Sequence, residues 1–239
     1  MSVLNERQGG SQVPSPVRLA AHGLSAGYHG VPAIWDVELE VRSGEVVLLA
    51  GPNGAGKTTT MMTLAGGIRP LSGTTAFDGS VTTLPMHKRV RLGLGVITER
   101  RSIFSRLTVA DNLRLGRGSS DIALEHFPEL RMRLGVKAGS LSGGEQQMLS
   151  LARVIAARPK AVIADEVSLG LAPIVVKRLL AALRQAADGG AAVLIVEQHV
   201  RVALETADRA CFLKRGRIVL SGSAAELRNK QREIEEVYL

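Results

Sequence analysis

Nine consecutive residues, Gly51-Pro52-Asn53-Gly54-Ala55-Gly56-Lys57-Thr58-Thr59, place glycines, one lysine and two hydroxyls in the order GxxxxGK[ST]. Glycines let a backbone curl so that successive N–H groups point at one anion, and a helix starting behind them adds positive potential. Lys57 would then reach the outer phosphates of a nucleotide, and the Thr58 hydroxyl would hold Mg²⁺. A second element, Val162-Ile163-Ala164-Asp165-Glu166, is an apolar run ending in two acids. Carboxylates at the carboxyl end of a buried strand reach the crevice where α/β sheets bind ligands. There Asp165 suits Mg²⁺, and Glu166 suits a general base that polarises an attacking water. A third stretch, Leu141-Ser142-Gly143-Gly144-Glu145-Gln146-Gln147, begins 24 residues before Asp165. Ser142 is a good N-cap, and Gly143-Gly144 would leave the first helical N–H groups bare for a γ-phosphate.

The elements that must hold these groups follow from periodicity. Val37, Leu39 and Val41 alternate with Glu38, Glu40 and Arg42, the pattern of a half-buried strand. Val46–Ala50, Ala161–Ala164 and Ala191–Val196 are continuous apolar runs, as in parallel strands covered on both faces. Met148, Leu151, Ala152 and Ile155 mark one face of a helix over 143–157. A second helix spans 173–187 and stops at Asp188-Gly189-Gly190, and Arg215-Gly216 turns a hairpin. Strands alternating with helices predict an α/β sheet. The stretch 99–140 carries no strong strand pattern and is expected to be a helical insertion.

Composition narrows the class. The chain has 239 residues, 45% hydrophobic and 22% charged, the balance of a globular protein. No apolar run approaches the roughly 20 residues of a membrane helix. The N-terminal stretch has no apolar core of a secretory signal, so none is expected. A single cysteine, Cys211, excludes an internal disulfide framework. Net charge is +8, and residues 88–137 hold eleven basic side chains against five acids. Nucleic acid, an anionic membrane surface, a phosphorylated ligand or a plain solvated helical face would each account for such a block.

Taken together, LSGGEQQ, GPNGAGKTT and the Asp165-Glu166 pair resemble the ATP-binding cassette (ABC) ATPases, over roughly residues 17–239. The resemblance implies a P-loop core with an antiparallel β subdomain and an inserted α-helical signature subdomain at about 99–150, behind a flexible tail over 1–16. It implies ATP and Mg²⁺ as cofactors and ATP hydrolysis as the activity. Tyr28, 29 residues before Lys57, stands where an aromatic stacks on adenine. Gly51, Pro52, Asn53, Gly54, Ala55, Gly56, Lys57, Thr58 and Thr59 match the P-loop. Asp165, Thr58 and Glu99 fall on the metal side, Glu166 matches the catalytic base, and His199 matches the switch histidine. Ser168-Leu169-Gly170-Leu171 match the loop that communicates across a head-to-tail dimer. In that dimer Ser142, Gly143, Gly144 and Glu145 of one subunit cap ATP held by the other.

ITERRSIFSRLTVADNL and SLGLAP look like the subgroup that energises branched-chain amino-acid importers. Urea or amide importers are the alternative, and a nucleic-acid-acting cassette is a second one. Seven aromatic residues leave few stacking platforms for single strands, so no nucleic acid is expected. The partners implied are a second ATPase subunit, membrane permease subunits and, indirectly, an extracytoplasmic solute-binding protein. The place implied is the cytoplasmic face of the cell membrane. Val167 and Thr98 depart from the family by standing where prolines are usual, which frees the backbone at each point.

Overall fold

The computed structural model describes residues 15–98, 102–198 and 200–239. In chain order the first half contains β1 (Val17–Tyr28), β2 (Val31–Arg42), β3 (Val46–Ala50), α1 (Lys57–Ala65), β4 (Pro70–Phe77), β5 (Ser80–Val81), α2 (Met86–Arg91) and β6 (Leu94–Ile97). Then come α3 (Val109–Arg114), α4 (Ser120–His126), two 3₁₀ turns at Pro128–Arg133 and Ala138–Ser140, and α5 (Gly143–Ile155). The remainder is β7 (Ala161–Asp165), α6 (Pro173–Asp188), β8 (Ala192–Glu197), α7 (Val200–Thr206), β9 (Arg209–Lys214), β10 (Arg217–Ser223), α8 (Ala224–Arg228) and α9 (Gln231–Tyr238).

Among the described residues the strands form two sheets. One is antiparallel in the order β2-β1-β4-β5; the other runs β10-β9-β3-β8-β7-β6, with β10 antiparallel at its edge. β9, β3, β8, β7 and β6 are parallel. The apolar runs behave as strands covered on both sides. Val46, Leu48 and Ala50 of β3 face one core, with α5, α6 and α7. Val47 and Leu49 face another, with α1 and the antiparallel sheet. This is the period-two alternation of a pleated strand, applied to residues that are all apolar.

Among the described residues the elements between β6 and β7 are all helical. Met148, Leu151, Ala152 and Ile155 of α5 are all buried in the first core. Two parts of the sheets had no clear signature in sequence. β6 is four residues, Leu-Gly-Val-Ile, too short and glycine-laced to announce itself. β4 begins with a proline and exposes its first half, so alternation shows only at its end. The expected tail falls almost wholly on residues 1–14, outside those described.

One member of the basic block is not on the surface. Arg89 is 2% exposed. Its Nε donates to Leu84 O at 2.8 Å, Nη1 to Leu64 O at 2.6 Å, and Nη2 to Thr82 O at 3.0 Å and Thr75 Oγ1 at 3.1 Å. Burial pushes its pKa down, and the ring of neutral acceptors compensates. Leu64 lies in the last turn of α1, so a cation also meets the negative end of that helix dipole.

Candidate nucleotide site

The site lies where β3, β8 and β7 end side by side. Ala50 pairs with Glu197, and Asp165 with Val196, so three strand exits open on one edge of the parallel sheet. This is the crevice where open α/β sheets bind ligands.

From β3 the chain enters the glycine loop. Gly51 has φ 151° and Gly56 φ 106°, and both approach neighbours too closely for a side chain. A Cβ on Gly51 would lie 2.1 Å from Leu213 O, and one on Gly56 2.4 Å from Ile34 Cγ2. Gly56 is also the N-cap of α1 and contributes no side-chain acceptor, so the first N–H groups of α1 remain directed at the loop's hollow. Lys57 is buried, and its Nζ donates to Gly51 O at 2.8 Å and Pro52 O at 3.0 Å. An ammonium has three protons, so one donor remains for a phosphate oxygen. Burial holds the Lys57 pKa below its ordinary value, while the charges of Glu166, Asp165 and Glu197 oppose that shift. Thr58 is exposed at the mouth and Thr59 is buried beneath it. A backbone cradle that excludes Cβ atoms, a buried lysine, an open threonine hydroxyl and a strand-end aspartate fit a nucleotide with its Mg²⁺.

Asp165 ends β7 and is 6% exposed. Glu166 follows in the left-handed region, φ 45°, which is uncommon for a non-glycine residue. Its N–H donates to Val196 O at 2.8 Å, and its Oε1 accepts from Gln198 Nε2 at 2.5 Å. The rare backbone geometry is therefore held from both ends. Val167, standing where proline is usual in the resembled family, is 1% exposed in the main core. Tyr28 sits at the tip of the β1–β2 hairpin, turned by His29 (φ 52°) and Gly30 (φ 78°), with its ring half exposed. Ile34, from the same hairpin, touches Gly56, which brings the hairpin alongside the loop.

The signature helix α5 is capped by Ser142, as its residue type predicts, and the cap engages the N–H groups of Ser142 and Glu145, not those of Gly143 and Gly144. Ser142 Oγ accepts from Glu145 N, and Glu145 Oε2 accepts from Ser142 N at 2.9 Å, a complete capping box. Glu145 Oε1 accepts from Arg133 Nε at 2.8 Å. Both carboxylate oxygens of Glu145 are thus engaged inside the subunit. Glu99 and His199, expected at the metal and the γ-phosphate, lie outside the described residues.

Sequence reasoning missed three residues at this edge. Glu197, 2% exposed, accepts both donors of Ser168. Gln198 holds Glu166, and the Tyr238 hydroxyl donates to Gln198 O at 3.3 Å. The run Val196-Glu197-Gln198 carried the only signal: two polar residues directly after a buried strand, at the same exit as the loop.

The sequence profile of the ABC transporter family matches residues 34–168. The high-affinity branched-chain amino acid transport ATP-binding protein BraG of Pseudomonas aeruginosa is 40% identical over 90% of this chain and 97% of its own length. The lipopolysaccharide export system ATP-binding protein LptB of Escherichia coli is 36% identical over 92% of this chain and 96% of its own length. An ATP-binding cassette of an ABC transporter in its ADP conformation superposes with a TM-score of 0.83 at 22% identity, covering 92% of this chain and 98% of that one. The chain belongs to the ABC transporter ATP-binding family and is an ATP hydrolase.

Proposed function

We propose that this chain is the ATP-binding and hydrolysing subunit that energises an importer of branched-chain or other small amino acids. The observation that carries the reading is the 40% identity to a branched-chain amino acid transport subunit over 97% of that protein. ATP lies on Gly51–Thr59, with Lys57 against its outer phosphates and the ring of Tyr28 on adenine. Thr58 and Asp165, with Glu99, hold Mg²⁺, which neutralises phosphate charge when bound. Glu166 takes a proton from the attacking water through Oε2, since Gln198 occupies Oε1, and His199 contacts the γ-phosphate. Ser142–Glu145 of a second ATPase subunit complete the site, so hydrolysis requires a dimer. Residues 17–239 work as one ATPase domain whose helical part, about 99–150, faces the permease.

A groove of about 670 Å³ supports that orientation. It is lined by Arg91, Arg117, Arg153, Arg158 and Lys160 among apolar residues, where α2, β6 and α5 meet. Basic side chains there suit both a permease segment and the anionic cytoplasmic leaflet. Among the described residues no helix is long and apolar enough to cross a membrane. The reading puts the chain at the periphery of the membrane, on its cytoplasmic face, held by its permease partners.

A second reading, lipopolysaccharide export, is favoured by the 36% identity to the export subunit. A strain lacking the gene separates the two. Loss of labelled leucine, isoleucine and valine uptake, restored by the wild-type gene but not by Glu166→Gln, is the expected result. Intact uptake with depleted surface lipopolysaccharide would establish the export reading instead.

A further inference from the structure

We propose that Tyr238, on the last helix of the fold, is a positioning residue for hydrolysis: it acts through Gln198 on Glu166. Three contacts make the chain of influence. The Tyr238 hydroxyl donates to Gln198 O at 3.3 Å. The Gln198 side chain donates to Glu166 Oε1 at 2.5 Å. The Glu166 N–H returns to Val196 O at 2.8 Å, two residues before Gln198. One phenol therefore ties α9 to the exit of β8, beside the residue held in the left-handed region.

A left-handed glutamate is disfavoured unless its surroundings over-determine it. Gln198 is the polar clamp on its side chain, and the Gln198 backbone is itself fixed from outside the loop by Tyr238. The helix that carries Tyr238 is otherwise lightly docked: Val237 is its one buried residue, and Lys214 Nζ donates to Glu236 O at 2.8 Å. A groove of about 600 Å³ between α7 and α9, lined by Val200, Val202 and Ile234, leaves room for the tyrosine to move with α9. The inference rests on the proposed role of Glu166 as base.

The test uses the full chain with Tyr238→Phe, which keeps the ring and removes only the hydroxyl, and Gln198→Ala. The expected result is a kcat lower by roughly five-fold in Tyr238→Phe, the equivalent of one neutral hydrogen bond, with KM for ATP unchanged. The double variant should be no slower than Gln198→Ala alone, because the two act in series. Amide exchange at Glu166 should quicken in Tyr238→Phe without change in α5 or α6. Wild-type kcat and wild-type exchange in Tyr238→Phe would overturn the proposal, as would additive losses in the double variant or a loss of kcat that only tracks a lower Tm. If Glu166→Gln hydrolysed at the wild-type rate, the base role would fall, and amide exchange would still decide the Tyr238 link.

Discussion

Ser168 gives both of its donors to one carboxylate: its N–H to Glu197 Oε1 at 2.9 Å and its hydroxyl to Glu197 Oε2 at 2.7 Å. The loop after β7 is thereby tied to the end of β8. Removing the hydroxyl in Ser168→Ala leaves a buried carboxylate oxygen without that partner, at a cost of about 1–3 kcal/mol. Urea denaturation of the variant measures it.

The same pair sets a pH dependence. Burial raises the Glu197 pKa, and the Ser168 hydrogen bonds work against that rise. A carboxyl whose pKa is higher folded than unfolded binds more protons when folded, so its ionisation penalty grows as pH rises from the ordinary carboxylate range. Glu197→Gln carries no such penalty. Its stability relative to wild type should increase as pH rises above the ordinary carboxylate range, as read from urea midpoints. A constant difference would refute this.

Arg133 and Glu145 predict the opposite slope. The Arg133 hydrogen bond, followed by those of Ser142, holds the Glu145 pKa below its usual value. Stabilisation of this kind is present above the unfolded carboxyl pKa and fades as pH falls through the folded one. The pair is partly exposed, so Arg133→Ala should cost at most about 1 kcal/mol at neutral pH and nothing measurable once Glu145 is protonated. Thermal melts at the two pH values, in low and high salt, decide it.

Arg89 is expected to be far less tolerant. Arg89→Met strands the carbonyls of Leu64 and Leu84 and leaves Thr75 Oγ1 and Thr82 O only their bond to each other, and should lose about 3 kcal/mol or more. Arg89→Lys restores the charge without the planar fork that reaches four acceptors, so it should recover only part. Calorimetric Tm values for the two variants rank them.

Lys57→Met should weaken ATP binding by roughly 100-fold or more, since the lost donor served a charged phosphate in a buried loop. Its fold should survive, because burial already disfavours the ammonium. Titration of a fluorescent ATP analogue, beside a thermal melt, separates the two effects.

How far the sequence carries depends on where partners lie. β3, β7 and β8 announce themselves because each is an unbroken apolar run, closed by an acid in β7 and β8, and the helix over 143–155 because its apolar face repeats with the helical period. The glycine loop is equally plain, since its composition is set by local backbone needs at Gly51 and Gly56. Arg89 was invisible: within Met-His-Lys-Arg-Val-Arg it is one cation among four basic side chains, and its acceptors come from Leu64, Thr75, Thr82 and Leu84. Gln198 and Tyr238 were hidden for the same reason, 40 residues apart and joined only by folding. The N-cap at Ser142 was legible in its residue type, but not the pull of Arg133 on the outer oxygen of Glu145.

The turn at Arg215-Gly216 does more than reverse the chain. Gly216 donates its N–H to Ala55 O at 2.9 Å and accepts from Trp35 N at 2.8 Å, and the indole of Trp35 lies flush on its Cα. Trp35 is the chain's single tryptophan and its ring is partly open to solvent. The phosphate loop is thus two hydrogen bonds from the one strong natural fluorophore in the molecule. Its emission gives an optical channel, free of any added label, through which occupancy of that loop can be followed in real time.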